Sequence, residues 1–296
     1  MPTIQKTENV ITRKQIKLPA SVSNVVEVSS GFEAPNPDTM KIIITGRPGC
    51  GKSSLLASNP NSVMYDLERN AGTVIDPQAT RIRIKPTSRS AADDLKKSVE
   101  ELVKAYRTDE ALQSSLNMVS FDSVDSLVDT FLRDLCVKND IDDPGEYGGG
   151  HGRGYSKVRT DMFEMFDSIT QVGLGIALTG HLSLKEVNGT HLRTLNVSDS
   201  FKQHLLRWRH MMFRIELTSG KVTKKVGNKT IEVASKDPRD NKFILITDTS
   251  TTTEDFDSPK SHIPIESGLV IPAKNGWTTF RSAVVRAITQ RQEESK

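Results

Sequence analysis

The segment Gly46-Arg47-Pro48-Gly49-Cys50-Gly51-Lys52-Ser53 constrains the fold of this chain more than any other feature. It fits the pattern G-x-x-x-x-G-K-[ST], in which glycines let successive backbone N–H groups curl around phosphate oxygens. The β-branched run 42–44 precedes it, and a short helical pattern over 52–58 follows it. In this order the positive end of the helix points at the same oxygens. The context favours a nucleotide-binding loop over a chance glycine-rich turn.

Each polar residue of this loop has an expected task. Lys52 brings a positive charge to the β- and γ-phosphates, and Ser53 offers its hydroxyl to Mg²⁺. ATP and Mg²⁺ are therefore the predicted cofactors. The residues expected to contact the nucleotide are Gly46, Arg47, Pro48, Gly49, Cys50, Gly51, Lys52, Ser53 and Ser54.

A second anchor for the metal is an acid at the end of a neighbouring strand. The run Met118-Val119-Ser120-Phe121 is followed by Asp122, which we expect to hold Mg²⁺ largely through water. The alternative is that Asp122 caps the helix that begins near Val124, although Ser123 can also supply that cap.

Composition limits the class of protein. The chain has 296 residues, of which 35% are hydrophobic and 26% charged, and its net charge is +3, as in ordinary soluble domains. No apolar run approaches the roughly 20 residues that span a bilayer, so a membrane protein is not expected. Two cysteines, Cys50 and Cys136, indicate neither a disulfide framework nor a zinc site. With no apolar signal core over Met1 to Arg13, we expect a cytoplasmic location.

The order of elements predicts an α/β fold. Between residues 41 and 180, short apolar runs alternate with helical patterns. The runs lie at 42–44, 62–65, 81–84, 116–121 and 174–179, and the helical patterns at 52–58, 91–106, 124–135 and 158–169. This alternation predicts a mainly parallel sheet flanked by helices. The glycine- and aspartate-rich segment 140–154 is expected to be a flexible loop.

After about residue 210 the pattern changes to antiparallel strands. These are predicted at 212–217, 221–226, 229–234 and 243–247, with a hairpin turn at Gly227-Asn228 and a final helix over 278–288. The expected organisation is an N-terminal arm or linker, 1–39, with one short strand at Val22–Val28. The main domain, 40–290, follows, and the charged tail 291–296 is expected to fray.

Nucleotide hydrolysis also needs a group that orients water. In AAA+ enzymes a glutamate directly follows the strand-end aspartate, but Ser123 occupies that position here. The strand after the phosphate-loop helix ends instead in Asp66-Leu67-Glu68. Glu68 is the candidate general base and Asp66 the second choice. The alternative for Glu68 is an ordinary acid in a surface loop.

The order of these motifs resembles the RecA family of ATPases. In that family the glutamate at the place of Glu68 is the catalytic carboxylate, and a strand-end Asp-Ser, here Asp122-Ser123, leads into a helix. A polar residue after a later strand senses the γ-phosphate. In Leu178-Thr179-Gly180-His181 that place belongs to His181, where the family usually has glutamine; the alternative is a structural histidine. Basic residues near the place of Lys236 and Arg239 reach into a neighbouring subunit's ATP; solvated turn charges are the alternative.

Two segments correspond to the DNA-binding loops of RecA proteins, 145–156 and 182–200. The wider stretches that contain them, 144–160 and 182–209, carry net charges of +2 and +3. Both segments are expected to leave the edge of the sheet where ligands bind in open α/β folds. Arginine, lysine and tyrosine suit phosphate contact and base stacking. The alternative is ordinary surface loops with excess charge. The candidate nucleic-acid-binding residues are Arg153, Tyr155, Lys157, Lys185 and Arg193.

Over about 40–290 the chain resembles phage-encoded RecA-like nucleotide-binding ATPases, including those of single-strand annealing and recombination. This resemblance implies an ATPase that binds single-stranded DNA and acts in recombination, annealing or repair. It also implies a filament or ring with ATP between subunits, and a single-strand DNA-binding protein as a further partner. For a phage protein, the location is the bacterial host cytoplasm.

Two other classes remain open from the sequence. A P-loop kinase for a small molecule needs a lid with clustered arginines, and the segment 145–154 holds only Arg153. An ATP-switched adaptor or loader for a replication or recombination protein would bind ATP tightly without turnover.

Overall fold

The computed structural model describes most of the chain from residue 36 onward. The described residues are 36–69, 74, 77–85, 88, 90–187, 190–226, 229–237, 240–246, 265 and 268–294. The predicted strand Val22–Val28, most of the N-terminal arm and the turn Gly227-Asn228 lie outside them.

One large sheet organises the described residues. Its strands follow the order β11-β10-β7-β1-β5-β4-β2-β3, and neighbours from β7 to β3 run parallel. Strands β10 and β11 extend it antiparallel, β6 pairs with β5, and β8 and β9 form a separate hairpin. The strands are β1 Lys41–Gly46, β2 Ser62–Asp66, β3 Thr80–Ile82, β4 Met118–Asp122, β5 Gly175–Val187, β6 Thr190–Leu195, β7 Met211–Thr218, β8 Lys221–Val226, β9 Lys229–Ala234, β10 Lys242–Ile246 and β11 Leu269–Pro272.

Helices cover both faces of this sheet. They are α1 Lys52–Ala57, α2 Ala91–Thr108, α3 Glu110–Ser115, α4 Val124–Asn139, α5 Arg153–Thr170, α6 Asp199–Trp208 and α7 Gly276–Glu294. This mainly parallel sheet with antiparallel strands toward the C-terminus confirms the α/β class and the RecA-like P-loop fold predicted for it.

The unbroken apolar run of β1 reflects burial on both faces. Ile43 belongs to the core cluster formed with α2, α4 and α5, whereas Ile42 and Ile44 belong to the cluster beneath α1 and α7. Successive strand side chains point to opposite faces, so a strand with helices on both sides needs no polar alternation. On the first face Tyr65 and Phe121 stack with ring centroids 5.2 Å apart.

A carboxylate from α4 fixes the start of α2. Asp134 is buried, and its Oδ2 accepts the backbone N–H of Ala92 at 2.6 Å and the Ser90 hydroxyl at 2.7 Å. The first N–H groups of a helix lack partners within the helix, so this contact satisfies one of them from a neighbouring helix. It ties together two of the helices that cover the first face of the sheet.

The prediction that segment 140–154 is a flexible loop is wrong, because most of it has regular structure. A 3₁₀ helix occupies Pro144–Gly149, and α5 begins at Arg153. The Asp143 carboxylate accepts the Gly145 N–H at 2.6 Å, and a Cβ on Gly154 would lie 2.0 Å from the Pro144 carbonyl oxygen. At Gly154 the glycine therefore serves close backbone packing, because no larger residue fits there.

Three further expectations need correction, and one helix was missed. Segment 182–200 is a β-hairpin followed by the start of α6 rather than a loop, because β5 runs on past the sheet and pairs with β6 from Leu182–Leu195 to Val187–Thr190. Strand β7 is parallel to β1, and only its other neighbour, β10, is antiparallel to it. Helix α3 was not predicted. The tail does not fray at 291, since α7 continues to Glu294.

The antiparallel pairing of β8 with β9 confirms the prediction for that region. Across the described part of the chain, no helix combines the length and apolarity needed to cross a membrane.

Candidate nucleotide site

The phosphate loop joins the end of β1 to the start of α1. Gly49 and Gly51 have φ of 76° and 93°, in the left-handed region that glycine adopts without strain. Gly51 is also crowded, because a Cβ there would lie 2.3 Å from Cε1 of the buried Phe243. The path of the backbone thus favours glycine at both positions, although the motif specifies it only at Gly51.

Lys52 is folded into this loop. It is 5% exposed, and its Nζ donates to the carbonyl oxygens of Gly46 and Arg47, at 3.1 Å each. The ammonium group therefore lies inside the curve of the loop, where a phosphate would meet it. Cys50 beside it is buried, and burial raises the pKa of its thiol.

Asp122 ends β4 at the same edge of the sheet. Thr179 of the adjacent β5 donates its hydroxyl to Oδ1 at 2.5 Å, while the buried Oδ2 has no hydrogen-bond partner. Burial raises the pKa of Asp122, the hydroxyls of Thr179 and Ser53 lower it, and the nearby carboxylates Glu68 and Asp66 raise it further. A buried carboxylate with one unpaired oxygen beside Ser53 fits a divalent cation, which would favour its charged form.

Asp66 ends β2 directly opposite Asp122 in the strand register. Its Oδ2 accepts Nε of Arg83 at 2.7 Å and lies 2.6 Å from another guanidinium nitrogen of the same side chain. The carboxylate is buried and bound to a cation, which does not suit a group that must accept a proton from water. Between the two acids considered from the sequence, the contacts favour Glu68.

Glu68 follows β2 and reaches across to the first turn of α4. Its Oε1 accepts the Ser123 hydroxyl at 2.5 Å and the Ser126 hydroxyl at 3.3 Å, and it lies 3.5 Å from Nδ1 of His181. Its side chain is 18% exposed. Glu68 is therefore an oriented carboxylate at the carboxyl edge of the sheet.

His181 lies in β5 next to the phosphate loop, because its register partner in β1 is Gly46. Its Nδ1 is 2.7 Å from Oδ2 of Asp125, in the first turn of α4. The hydrogen bond to Asp125 raises the pKa of His181, burial opposes this, and the charge of Lys52 lowers the pKa while that of Glu68 raises it. The structure thus brings together the phosphate loop, Glu68 and His181, three features that are far apart in the sequence.

Sequence reasoning gave Asp125 no role. The sequence feature that could have identified Asp125 is its position three residues after Asp122. The first turn of the helix that follows the strand brings this side chain back over the edge of the sheet. Glu68, Asp125 and His181 each have one nitrogen or oxygen atom of a kind that can bind a metal ion, and these three atoms lie within 4.8 Å of one another.

Comparison with known proteins fits this arrangement. A family model described as "AAA domain" (AAA_24) matches residues 38–252. The chain belongs to this AAA domain family. No curated protein matches it. Among solved structures, a KaiC-like protein from the hyperthermophilic archaeon Pyrococcus horikoshii is similar at 11% identity, over 79% of this chain and 88% of that chain, with a TM-score of 0.38. That TM-score is too low to support any inference about function.

The candidate DNA residues of the first segment lie on a helix of this AAA domain. Arg153, Tyr155 and Lys157 occupy the first turns of α5. Arg153 donates to the Gly148 carbonyl, and Lys157 pairs with Asp161 at 2.5 Å. Two of these three side chains thus have intramolecular partners, and the loop placement assumed for them is wrong.

The second segment is the hairpin of β5 and β6. Lys185 pairs in register with Leu192, and Arg193 with Leu184, whose side chain is 70% exposed. At the base of the hairpin, a cavity of about 500 Å³ is lined by three acids, Asp125, Asp129 and Asp199, together with apolar and neutral polar residues. The negative charge of these acids disfavours a phosphate group inside the cavity.

The two predicted segments are linked in space. Arg159 in the second turn of α5 donates to the Ser200 hydroxyl at 2.8 Å, at the start of α6. Two residues were predicted to contact the ATP of a neighbouring subunit. Lys236 follows β9 and is exposed, and Arg239 lies outside the described residues.

Proposed function

We propose that this AAA domain protein is an ATP-dependent, single-stranded-DNA-binding ATPase that acts in DNA recombination, annealing or repair. The observation that carries the hydrolytic part is the Glu68 carboxylate, held by two hydroxyls beside His181 at the phosphate-loop edge of the sheet. A carboxylate so placed is the group needed to orient a water molecule toward the γ-phosphate. The proposed ATPase domain is 40–290.

The residues divide the work of hydrolysis among them. Lys52, inside the curve of the loop, neutralises phosphate charge, and the backbone N–H groups of the loop and of α1 bind phosphate oxygens. Glu68 orients water and accepts its proton. The conversion of ATP and water to ADP and phosphate transfers the γ-phosphoryl group to that water oxygen. His181, opposite Gly46 in the register, donates its Nε2–H to a phosphate oxygen when its ring is doubly protonated.

Magnesium is the metal that this site fits. Ser53 and Asp122 would hold it, because the Ser53 hydroxyl interacts with the Asp122 carboxylate, whose buried Oδ2 has no hydrogen-bond partner. When bound, Mg²⁺ neutralises charge on the phosphate oxygens. Asp122 and Thr179, joined across two strands, keep that corner of the site rigid.

Coupling to DNA runs through β5 in this proposal. The strand carries Thr179 and His181 at the nucleotide edge and then continues into the hairpin that holds Lys185 and Arg193. A change at His181 upon hydrolysis would therefore move a continuous strand. Lys185 and Arg193 of the hairpin, with Arg153, Tyr155 and Lys157 of α5, are the proposed DNA contacts.

We also propose that copies of the chain assemble into a filament or ring with ATP between them. The exposed Lys236, and Arg239 a few residues further on, are the proposed contacts to a neighbouring subunit's ATP. A single-strand DNA-binding protein is the proposed further partner.

The coupling is tested by fluorescence anisotropy with a labelled oligothymidine and the full-length protein. Binding is compared with a non-hydrolysable ATP analogue, with ADP and with no nucleotide, and a duplex of equal length is the control. We expect tight binding of the single strand only with the ATP analogue. Equal binding in the three nucleotide conditions would contradict the coupling, and no binding at all would contradict the DNA-binding part.

A further inference from the structure

The hydrogen bonds of His181 are unequal in a way that bears on its role. Its Nδ1 faces two carboxylates, Asp125 at 2.7 Å and Glu68 at 3.5 Å. A single N–H forms one well-aligned hydrogen bond at a time. The 2.7 Å distance to Asp125 is typical of a charge-assisted hydrogen bond, whereas the 3.5 Å distance to Glu68 is at the limit for any hydrogen bond. The proton on Nδ1 therefore belongs to the bond with Asp125.

Asp125 also holds the backbone of the same residue. Its Oδ1 lies 3.4 Å from the His181 backbone nitrogen, so the two carboxylate oxygens face the main chain and the ring of one residue. The Asp125 side chain is 13% exposed. The residue lies in the first turn of α4, and the following turns of that helix pack in the core. It is thus a fixed acceptor on a rigid element.

We propose that Asp125 is a positioning residue of the nucleotide site, acting through His181. By accepting Nδ1–H, it presents the opposite ring nitrogen, Nε2, away from the carboxylates and toward the side of the phosphate loop. It also keeps the histidine from pairing with Glu68, whose carboxylate stays with the hydroxyls of Ser123 and Ser126. This inference rests on the proposed hydrolysis of ATP, and it adds a residue that the hydrolytic assignment does not contain.

The charges around His181 agree with this arrangement. Asp125 from α4 and Glu68 after β2 favour its protonated form, and Lys52 from α1 opposes it. Burial raises the pKa of Asp125, but hydrogen bonds from His181 and Ser123 outweigh it and lower the pKa overall. Removing the Asp125 charge should therefore move the titration of His181 to lower pH.

The first test is kinetic. Asp125→Asn is expected to lower kcat for ATP by about tenfold to a hundredfold, as losses of orienting partners typically do, with KM changed by no more than about twofold. Asp129→Asn, one turn further along α4, makes the same chemical change on an exposed side chain and should leave kcat near the wild-type value. Asp125→Glu, which keeps the charge, should recover part of the rate. Wild-type kcat in Asp125→Asn would overturn the proposal.

A double-mutant cycle separates positioning from simple structural damage. If Asp125 acts through His181, Asp125→Asn should cost nothing further in a His181→Gln background. An equal fractional loss of kcat in both backgrounds would overturn the proposal, because Asp125 would then act independently of the histidine.

A measurement that needs no turnover keeps the inference testable by itself. Nitrogen-detected NMR of the histidine rings reports tautomer and pKa for each of the six histidines, and His181 is assigned by the signal lost in His181→Gln. We expect Nδ1 to be protonated in the wild type and the pKa of His181 to fall in Asp125→Asn but not in Asp129→Asn. An unchanged His181 in Asp125→Asn would overturn the proposal even if ATP is hydrolysed. An inactive wild type with the expected NMR shift would refute the hydrolytic function alone.

Discussion

The nucleotide edge of the sheet and the candidate DNA-binding region are built in different ways. At the nucleotide edge, Lys52, Asp122 and Glu68 are held by several hydrogen bonds or by burial among parallel strands. In the candidate DNA-binding region, Arg153 and Lys157 bond to their own helix or to the turn before it. The first region is preorganised for one ligand geometry, whereas the second offers charges whose arrangement a ligand must still complete. The contrast indicates that substitutions at the first region should act through precise geometry and those at the second through charge.

The largest expected effect belongs to Glu68. Glu68→Gln keeps the shape and should leave nucleotide affinity nearly unchanged, while turnover falls by about 10²- to 10⁴-fold because the base is lost. Nucleotide binding by calorimetry and phosphate release measure the two quantities. Asp66→Asn is the control, since Arg83 already occupies that carboxylate. Full turnover in Glu68→Gln would move the base to another residue.

The next effect concerns the backbone of the loop. Gly51→Ala must place a Cβ at φ 93° and against Phe243, so the free energy of unfolding should fall by about 2–4 kcal/mol. Gly49→Ala is the matched control, with φ 76° but open space around it, and should cost only about 1–2 kcal/mol. Urea denaturation measures both. Equal losses would show that the contact with Phe243 does not matter.

A smaller effect is expected at the cap of α2. Asp134→Ala removes the acceptor of Ala92 N–H and of the Ser90 hydroxyl, and should lower the free energy of unfolding by about 1–3 kcal/mol. Asp134→Asn retains one oxygen acceptor and should recover part of that loss in the same urea titration. No loss in the alanine variant would mean that water replaces the carboxylate at no cost.

The smallest effect is expected in the candidate DNA-binding region. Arg193→Ala should weaken binding of an oligothymidine a few-fold and reduce the slope of log affinity against log salt by about 1. Arg107→Ala, in the last turn of α2 at the opposite edge of the sheet, removes the same charge and should change neither quantity. Identical behaviour of the two variants would place the DNA elsewhere.

The same contrast explains what the sequence could predict. The phosphate loop, Asp122 and Glu68 each follow a strand that is recognisable in the sequence as a short apolar run. Because parallel strands end at the same edge of a sheet, their positions could be predicted. The hairpin of β5 and β6 was missed because its polar residues follow a strand that continues beyond the sheet, where no buried face imposes an apolar pattern. Segment 140–154 was wrongly predicted to be flexible. Gly154 is a glycine because the backbone packs closely there, and a sequence does not distinguish a glycine needed for close packing from one in a flexible loop. Asp125 required the fold, since only the helical turn brings it to His181.

The most direct test of the central claim is ATP hydrolysis measured alone, with single-stranded DNA and with duplex DNA, using Lys52→Ala as the control. We expect single strands to raise the rate severalfold, duplex DNA to raise it less, and Lys52→Ala to be inactive in all three conditions. A wild-type rate that is indifferent to DNA, with Lys52→Ala still inactive, would keep the nucleotide site and contradict its coupling to DNA.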